Sequence, residues 1–262
     1  MSFSNDRYDV LLENIKHRPY PLPSSIWLMT QTWTDLLFMH WPISAQVLRD
    51  LIPSSLEVDT FDGDAWIGVV PFGMNNVRFR GTPKFAPFNS NFLELNVRTY
   101  VRYKGKSGVY FFSLDASHPI AVEVARASFK LPYYHARMTK KNLADETVAY
   151  RSVRVDSRGG EAVFEATYRA IGQAFFAAPG TLENWLTERY CLFSSDSRSD
   201  EVFIGEVHHA QWSLQPAEAE VAKNTMVEVI GQGIKLPPTQ PLLHYSKELL
   251  TVEWTLRKSS GQ

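Results

Sequence analysis

Residues 125–134 read A-R-A-S-F-K-L-P-Y-Y. The stretch joins two kinds of local order. Upstream, Pro119 stands where a first-turn proline would, and 120–129 read as a helix. Downstream, 133–138 read as a strand, so Tyr133 and Tyr134 point to opposite faces and only one of them can enter an interior.

The sequence on either side is mostly strand and turn. Toward the C-terminus, 147–156 and 161–170 flank the turn S-R-G-G at 157–160. Toward the N-terminus, 92–103 and 109–114 form a hairpin pattern around 104–108. In the first of these strands Glu94, Asn96, Arg98 and Tyr100 alternate with Leu93, Leu95, Val97, Thr99 and Val101. One face of that strand carries the polar groups and the other packs apolar.

Further out, 8–16 suggest a short helix, within an N-terminal segment over 1–24 that Pro19, Pro21 and Pro23 keep extended. Residues 27–39 read as a strand ended by H-W-P at 40–42, and 44–52 as a helix stopped by Pro53. The runs 56–61 and 65–72 suggest a hairpin closed by D-G-D at 62–64. Thr181 caps a helix over 181–189. Residues 201–209 and 249–256 read as strands, 218–230 fit either period, and 259–262 form a loose tail. There is no repeat or linker, so a single domain over 1–262 is expected. Its class is α+β, with a mainly antiparallel sheet that is curved or closed, and a few flanking helices.

Composition narrows the function classes. The chain has 262 residues, 44% hydrophobic and 21% charged, with net charge -1. That balance gives no electrostatic footprint for nucleic acid or an anionic membrane. The tryptophans are scattered rather than interleaved with basic clusters, which is core composition rather than a base-stacking platform. One cysteine, Cys191, cannot form an intramolecular disulfide or a cysteine-based zinc cluster; it reads as a small buried hydrophobe. No secretory pattern or apolar run of membrane-spanning length is visible, so a cytoplasmic protein is expected. Adjacent strand residues His208 and His209 face opposite ways and cannot chelate one ion, so one buried and one surface histidine are expected. Hydrolase-elbow, P-loop and dinucleotide signatures are missing from the sequence. No metal or cofactor is expected.

Several segments, taken in order, carry a resemblance: H-W-P at 40–42, W-I-G-V-V-P-F at 66–72, E-L-N-V-R-T-Y-V at 94–101, G-V-Y-F-F-S-L-D-A at 108–116, the opening stretch at 125–134, L-E-N-W-L-T-E-R-Y at 182–190 and H-H-A-Q-W at 208–212. Together they resemble the YqjF-like family of uncharacterised bacterial proteins and, more distantly, the acetoacetate decarboxylase superfamily. The resemblance implies a strongly bent β-sheet approaching a closed barrel, with an interior pocket. Glu94 falls on the superfamily's strand glutamate, Arg126 on its motif arginine and Pro132 on its proline. Ala127 replaces the motif glutamate, Lys130 a glycine, and Tyr133 and Tyr134 the two lysines. A lysine in those decarboxylases forms an imine with the substrate ketone. A phenol cannot.

The resemblance therefore implies a pocket for a small organic acid or carbonyl compound, in a lyase-like enzyme without a Schiff-base lysine. Glu94, Arg126 and Tyr134 are the candidate catalytic residues: a proton carrier, an anion anchor and a carbonyl donor. Arg98, Tyr133 and Lys130 are candidate substrate contacts. Buried charges need partners, so Glu94 is expected to touch an arginine. The alternative is a non-catalytic binding or sensing protein on the same scaffold. The expected partner is a small molecule, with no nucleic acid and no membrane; a homo-oligomer stays open, because relatives on this fold often assemble.

Overall fold

The computed structural model describes residues 6–82, 91–195, 201–231 and 234–259. Its elements run α1 (Asp6–Glu13), β1 (Met29–Ile43), α2 (Ala45–Arg49), β2 (Glu57–Val58), β3 (Ala65–Phe79), β4 (Phe92–Tyr103), β5 (Lys106–Ala116), α3 (Pro119–Phe129), β6 (Tyr133–Asn142), β7 (Val148–Arg154), β8 (Val163–Ala170), β9 (Phe175–Phe176), α4 (Leu182–Thr187), β10 (Cys191–Ser195), β11 (Val202–His209), β12 (Ser213–Asn224), β13 (Leu242–Glu253) and β14 (Arg257–Lys258).

The strands make one large, bent, mixed sheet that closes on itself twice. β1, β3, β4, β5, β6, β7, β8, β12 and β13 pair in a ring of nine. A second ring of seven, β1, β3, β4, β5, β10, β11 and β13, shares five strands with the first. Because side chains alternate along a strand, each shared strand sends one set into each ring. The larger ring is filled: Leu37, Met39, Ile67, Val69, Leu95 and Val97 meet Tyr150, Phe164 and Tyr168 in a continuous core. The Tyr150 hydroxyl crosses that core and donates to the carbonyls of Phe72 at 3.1 Å and Glu94 at 2.8 Å.

The 125–134 stretch is the end of a crossover. α3 begins with Pro119, and His118 caps it by accepting from the Ala121 N–H at 3.2 Å. It stops at Lys130, which takes the left-handed conformation (φ 50°, ψ 35°). A side chain there costs about 1–2 kcal/mol relative to glycine. The chain then enters β6, which lies parallel to β5 with Leu114 opposite Tyr133. The sheet is therefore mixed, although antiparallel pairs dominate. β10 also runs parallel to β5.

Several expected boundaries move. H-W-P does not end β1, which continues to Ile43. Pairing with β13 stops at His40, so Pro42 pairs only with β3, on an edge stretch where proline is tolerated. The 62–64 turn forms, with Asp62 at φ 50° and Gly63 at φ 92°, and Phe61 bridges Asp64. The strand before it pairs with β4 instead of closing a hairpin with β3. The ambiguous 218–230 segment is strand up to Asn224 and then turns to bury Met226 and Val227, which explains why its apolar residues fit no single period. The expected tail falls outside the described residues from 260 onward, while Ser259 is held by N–H donation to the Val202 carbonyl at 2.8 Å.

Candidate functional site

The smaller ring is not filled. It holds a cavity of about 170 Å³ whose walls include Leu36, Val70, Phe72, Phe111 and Trp212, with α3 contributing Ile120, Val124 and Phe129. Ile120 is 64% exposed, so the cavity reaches the surface beside α3. The polar face of β4 turns inward here: Glu94, Asn96 and Arg98 all line it. Their neighbours Leu95 and Val97 lie in the solid core. The alternation seen in the sequence is thus a choice between two interiors.

Tyr133 is the tyrosine that enters. Its hydroxyl donates to Glu94 Oε2 at 2.8 Å. Burial pushes the Glu94 carboxyl up to about 8; the hydrogen bonds from Tyr133 and Asn96 pull it part of the way back, and Glu253 and Asp115 push it further up. Glu253 faces the same cavity from the end of β13, and burial raises it to about 7. The Tyr133 phenol is held well above its ordinary range by burial and by the Glu94 carboxyl it touches. Two carboxyl groups and a phenol thus gather, with one or both acids protonated near neutral pH.

The expected pairing of Glu94 with an arginine does not occur among the described residues. Arg98 leans over Gly68 instead. A Cβ there would lie 3.5 Å from Arg98 Cγ and 3.0 Å from the His40 ring. The guanidinium rests 5.1 Å from the Phe38 ring and 5.8 Å from Tyr100. Arg98 Nε has no acceptor, and none of the ion pairs among the described residues involves Arg98. Arg189, on the other side of Tyr100, also lines the cavity but is tied to Asp59 at 2.8 Å.

Three candidates stand elsewhere. Tyr134 points to the other face of β6, where the Arg154 guanidinium lies 4.3 Å from its ring. Arg154 in turn donates through Nη2 and Nε to Asp115 Oδ1, at 2.7 and 2.9 Å, in a buried ion pair. Arg126 donates to the Tyr133 carbonyl at 2.7 Å, so it steadies the backbone beneath that phenol rather than the cavity itself. Lys130 lies with its ammonium 4.2 Å from the Phe203 ring. Arg126 and Lys130 both line a separate recess near Ser194 and Ser195. Among the described residues no lysine lines the cavity that holds Glu94.

The histidine expectation is corrected. His208 and His209 are both buried, at 0% and 1% exposure. His209 faces the cavity, and His208 faces the N-terminal segment, its Nε2 2.8 Å from the Leu11 carbonyl. That segment covers what would otherwise be an open face of β11. Cys191 starts β10 and is buried, with its thiol pushed up to about 12 by burial. Among the described residues no three acidic, histidine or cysteine side chains are placed to hold a metal. No helix among them is long and apolar enough to cross a bilayer.

Sequence inspection missed Glu253, Arg189 and Gln31 as cavity-lining groups. Glu253 sits at the end of a strand with ordinary alternation, and nothing near it in the sequence marks it. Its proximity to Glu94 comes from ring closure alone.

Comparison with known proteins agrees with this architecture. Residues 30–249 match the DUF2071 family model, described as an uncharacterized conserved protein. The YqjF protein of Bacillus subtilis (strain 168) is 45% identical over 250 residues, covering 95% of this chain and all of that one. Among solved structures, the enduracididine biosynthesis enzyme MppR complexed with pyruvate superposes with a TM-score of 0.61 at 10% identity, covering 92% of this chain and 93% of that one. An acetoacetate decarboxylase-like enzyme from Sphingomonas wittichii RW1 gives 0.60 at 11% identity, covering 94% and 99%. The acetoacetate decarboxylase of Legionella pneumophila gives 0.56 at 12%, covering 92% and 93%. At such identities these structures share the fold alone. The family match and the full-length relative place the chain more closely: it belongs to the DUF2071 family of YqjF-like proteins.

Proposed function

We propose that this protein is a small-molecule enzyme, lyase-like in acting on an organic acid or carbonyl compound, that works by proton transfer from Glu94 and not through a lysine imine. The observation that carries this reading is the Glu94 carboxyl, held neutral by burial, with one oxygen taken by Tyr133 at 2.8 Å. Asn96 also bonds the carboxyl, and Glu94 lines the cavity. A neutral carboxyl there can donate to a substrate carbonyl, as a water-excluded acid does in other enzymes that polarise ketones. As the proton passes to the carbonyl oxygen, the electron pair of a neighbouring C–H bond becomes the C=C bond of an enol. The released proton goes to Glu253, whose affinity near neutral pH suits a base. The Tyr133 hydrogen bond then steadies the carboxylate that Glu94 has become. Arg98 is the residue placed to hold an anionic group.

The test is deuterium exchange at the carbon next to the carbonyl, followed by NMR across a panel of oxo acids and ketones. Exchange should occur with the native protein and be lost in Glu94→Gln with binding retained. Exchange at an unchanged rate in Glu94→Gln would overturn the reading. A second reading, a binding protein without turnover, is favoured by the lack of any lysine around the cavity among the described residues; tight binding with no exchange would decide for it.

A further inference from the structure

Glu94 and Arg98 stand on one face of β4 but not at one place. Four residues of strand separate their α-carbons by roughly 13 Å at ~3.3 Å per residue. Their side chains also diverge. Arg98 leans across the side-chain-free Gly68 toward Phe38 on β1. Glu94 is held from the opposite direction by Tyr133, which belongs to β6 beyond β5. Glu253 reinforces the Glu94 end: it lies opposite Met29, which pairs with Phe79 at the far end of β3. Arg189 reinforces the Arg98 end, with both guanidinium groups against the Tyr100 ring. The cavity therefore has an acid pole and a cationic pole. Between them the wall includes Val70 of β3, and Asn96 opposite it is the polar group on the intervening stretch of β4.

We infer that the ligand is bipolar, with a carboxylate at Arg98, a carbonyl at Glu94 and an apolar spacer joining them. This rests on the proton-transfer reading above and specifies its substrate class. Because the side chains diverge, the poles lie no closer than their α-carbons, and subtracting about 3 Å of hydrogen bond at each end leaves a minimum of roughly 7 Å to span, or at least about four to six carbon–carbon bonds. In a 2-oxo or 3-oxo acid the two groups are too close to reach both poles. Arg98 Nε has no acceptor and Arg98 makes no ion pair among the described residues, so its guanidinium can take a carboxylate.

The experiment is titration calorimetry of the full chain with straight-chain oxo acids in which the carbonyl moves stepwise away from the carboxylate, alongside the matching methyl ketones. Affinity should rise at least tenfold as the spacer reaches about four to six bonds. Arg98→Met should remove that gain for the acids and leave the ketones unchanged; ketone binding shows that the variant is folded. If the variant fails to fold, the length series on the native protein decides by itself. Tightest binding by 2-oxo or 3-oxo acids, still weakened by Glu94→Gln, would overturn the spacing inference and leave the proton-transfer reading intact. Binding of neither acids nor ketones would overturn both.

Discussion

The hydroxyl of Tyr133 lies 2.8 Å from Glu94 Oε2, and it joins two segments that the sequence places far apart and the sheet brings to one cavity. The sequence resemblance sets this phenol at a motif lysine position, and the phenol changes what the carboxyl beside it can do. An ammonium would fix Glu94 as an anion. A phenol supplies a weaker stabilisation, and burial wins, leaving a carboxyl near 8.

Removing the phenol should push the carboxyl further up, because the Tyr133 hydrogen bond favours the charged form. Carboxyl-selective ¹³C NMR of Tyr133→Phe is expected to show the Glu94 resonance titrating above its position in the native protein. A downward displacement would contradict the assigned hydrogen bond.

The same group gives a pH dependence of stability. Its folded value lies above its unfolded one, so the folded state binds the extra proton. The contribution is fully present below about 4.5 and is lost as pH rises through about 8. Glu253 acts in the same sense as pH rises through about 7. Melting temperature should fall across this window, and Glu94→Gln should flatten the fall. An equally steep fall in the variant would show that Glu94 is already ionised in the folded protein.

The Asp115–Arg154 pair beneath Tyr134 is buried at 0% and 2% side-chain exposure. Arg154→Met would leave Asp115 buried without its partner, at about 3–5 kcal/mol in denaturant titrations at neutral pH. Burial already raises Asp115 to about 6 against the pull of Arg154. The loss should therefore shrink in acid, where the carboxyl takes a proton. A loss that is the same at all pH values would place its cause in packing alone.

Gly68 is required by shape. A methyl group there would approach the His40 ring to 3.0 Å and 3.1 Å, and His40 is fully buried with its Nε2 2.7 Å from the Tyr100 hydroxyl. Gly68→Ala is expected to cost about 1–3 kcal/mol through overpacking, and to weaken acid binding by displacing Arg98. Unchanged stability would mean that His40 can move aside.

Borohydride treatment with oxo acids should add no mass, because no lysine lines the cavity among the described residues. Tyr134→Phe and Lys130→Ala should bind the same ligands as the native protein. A trapped adduct would return the protein to imine chemistry.

Local sequence carried much of the outcome. The alternation along 93–101 placed Glu94 and Arg98 on a common face, and β4 has the expected bounds, because strand geometry depends only on neighbouring residues. Pro119 and Thr181 marked their helix starts for the same local reason. The phenol pair at 133–134, where the resemblance sets two lysines, could also be read without coordinates.

What the tertiary structure alone decided is which face opens onto space. Alternation says that Tyr133 and Tyr134 part company, but only pairing of β6 with β5 sends one to Glu94 and the other to the Asp115–Arg154 pair. Glu253 joins the site through closure of β13 onto β1 and β11, contacts between distant segments that no local pattern encodes. The rings share strands, so each shared strand has two buried faces; filling one with large side chains and leaving the other hollow is a property of the whole sheet.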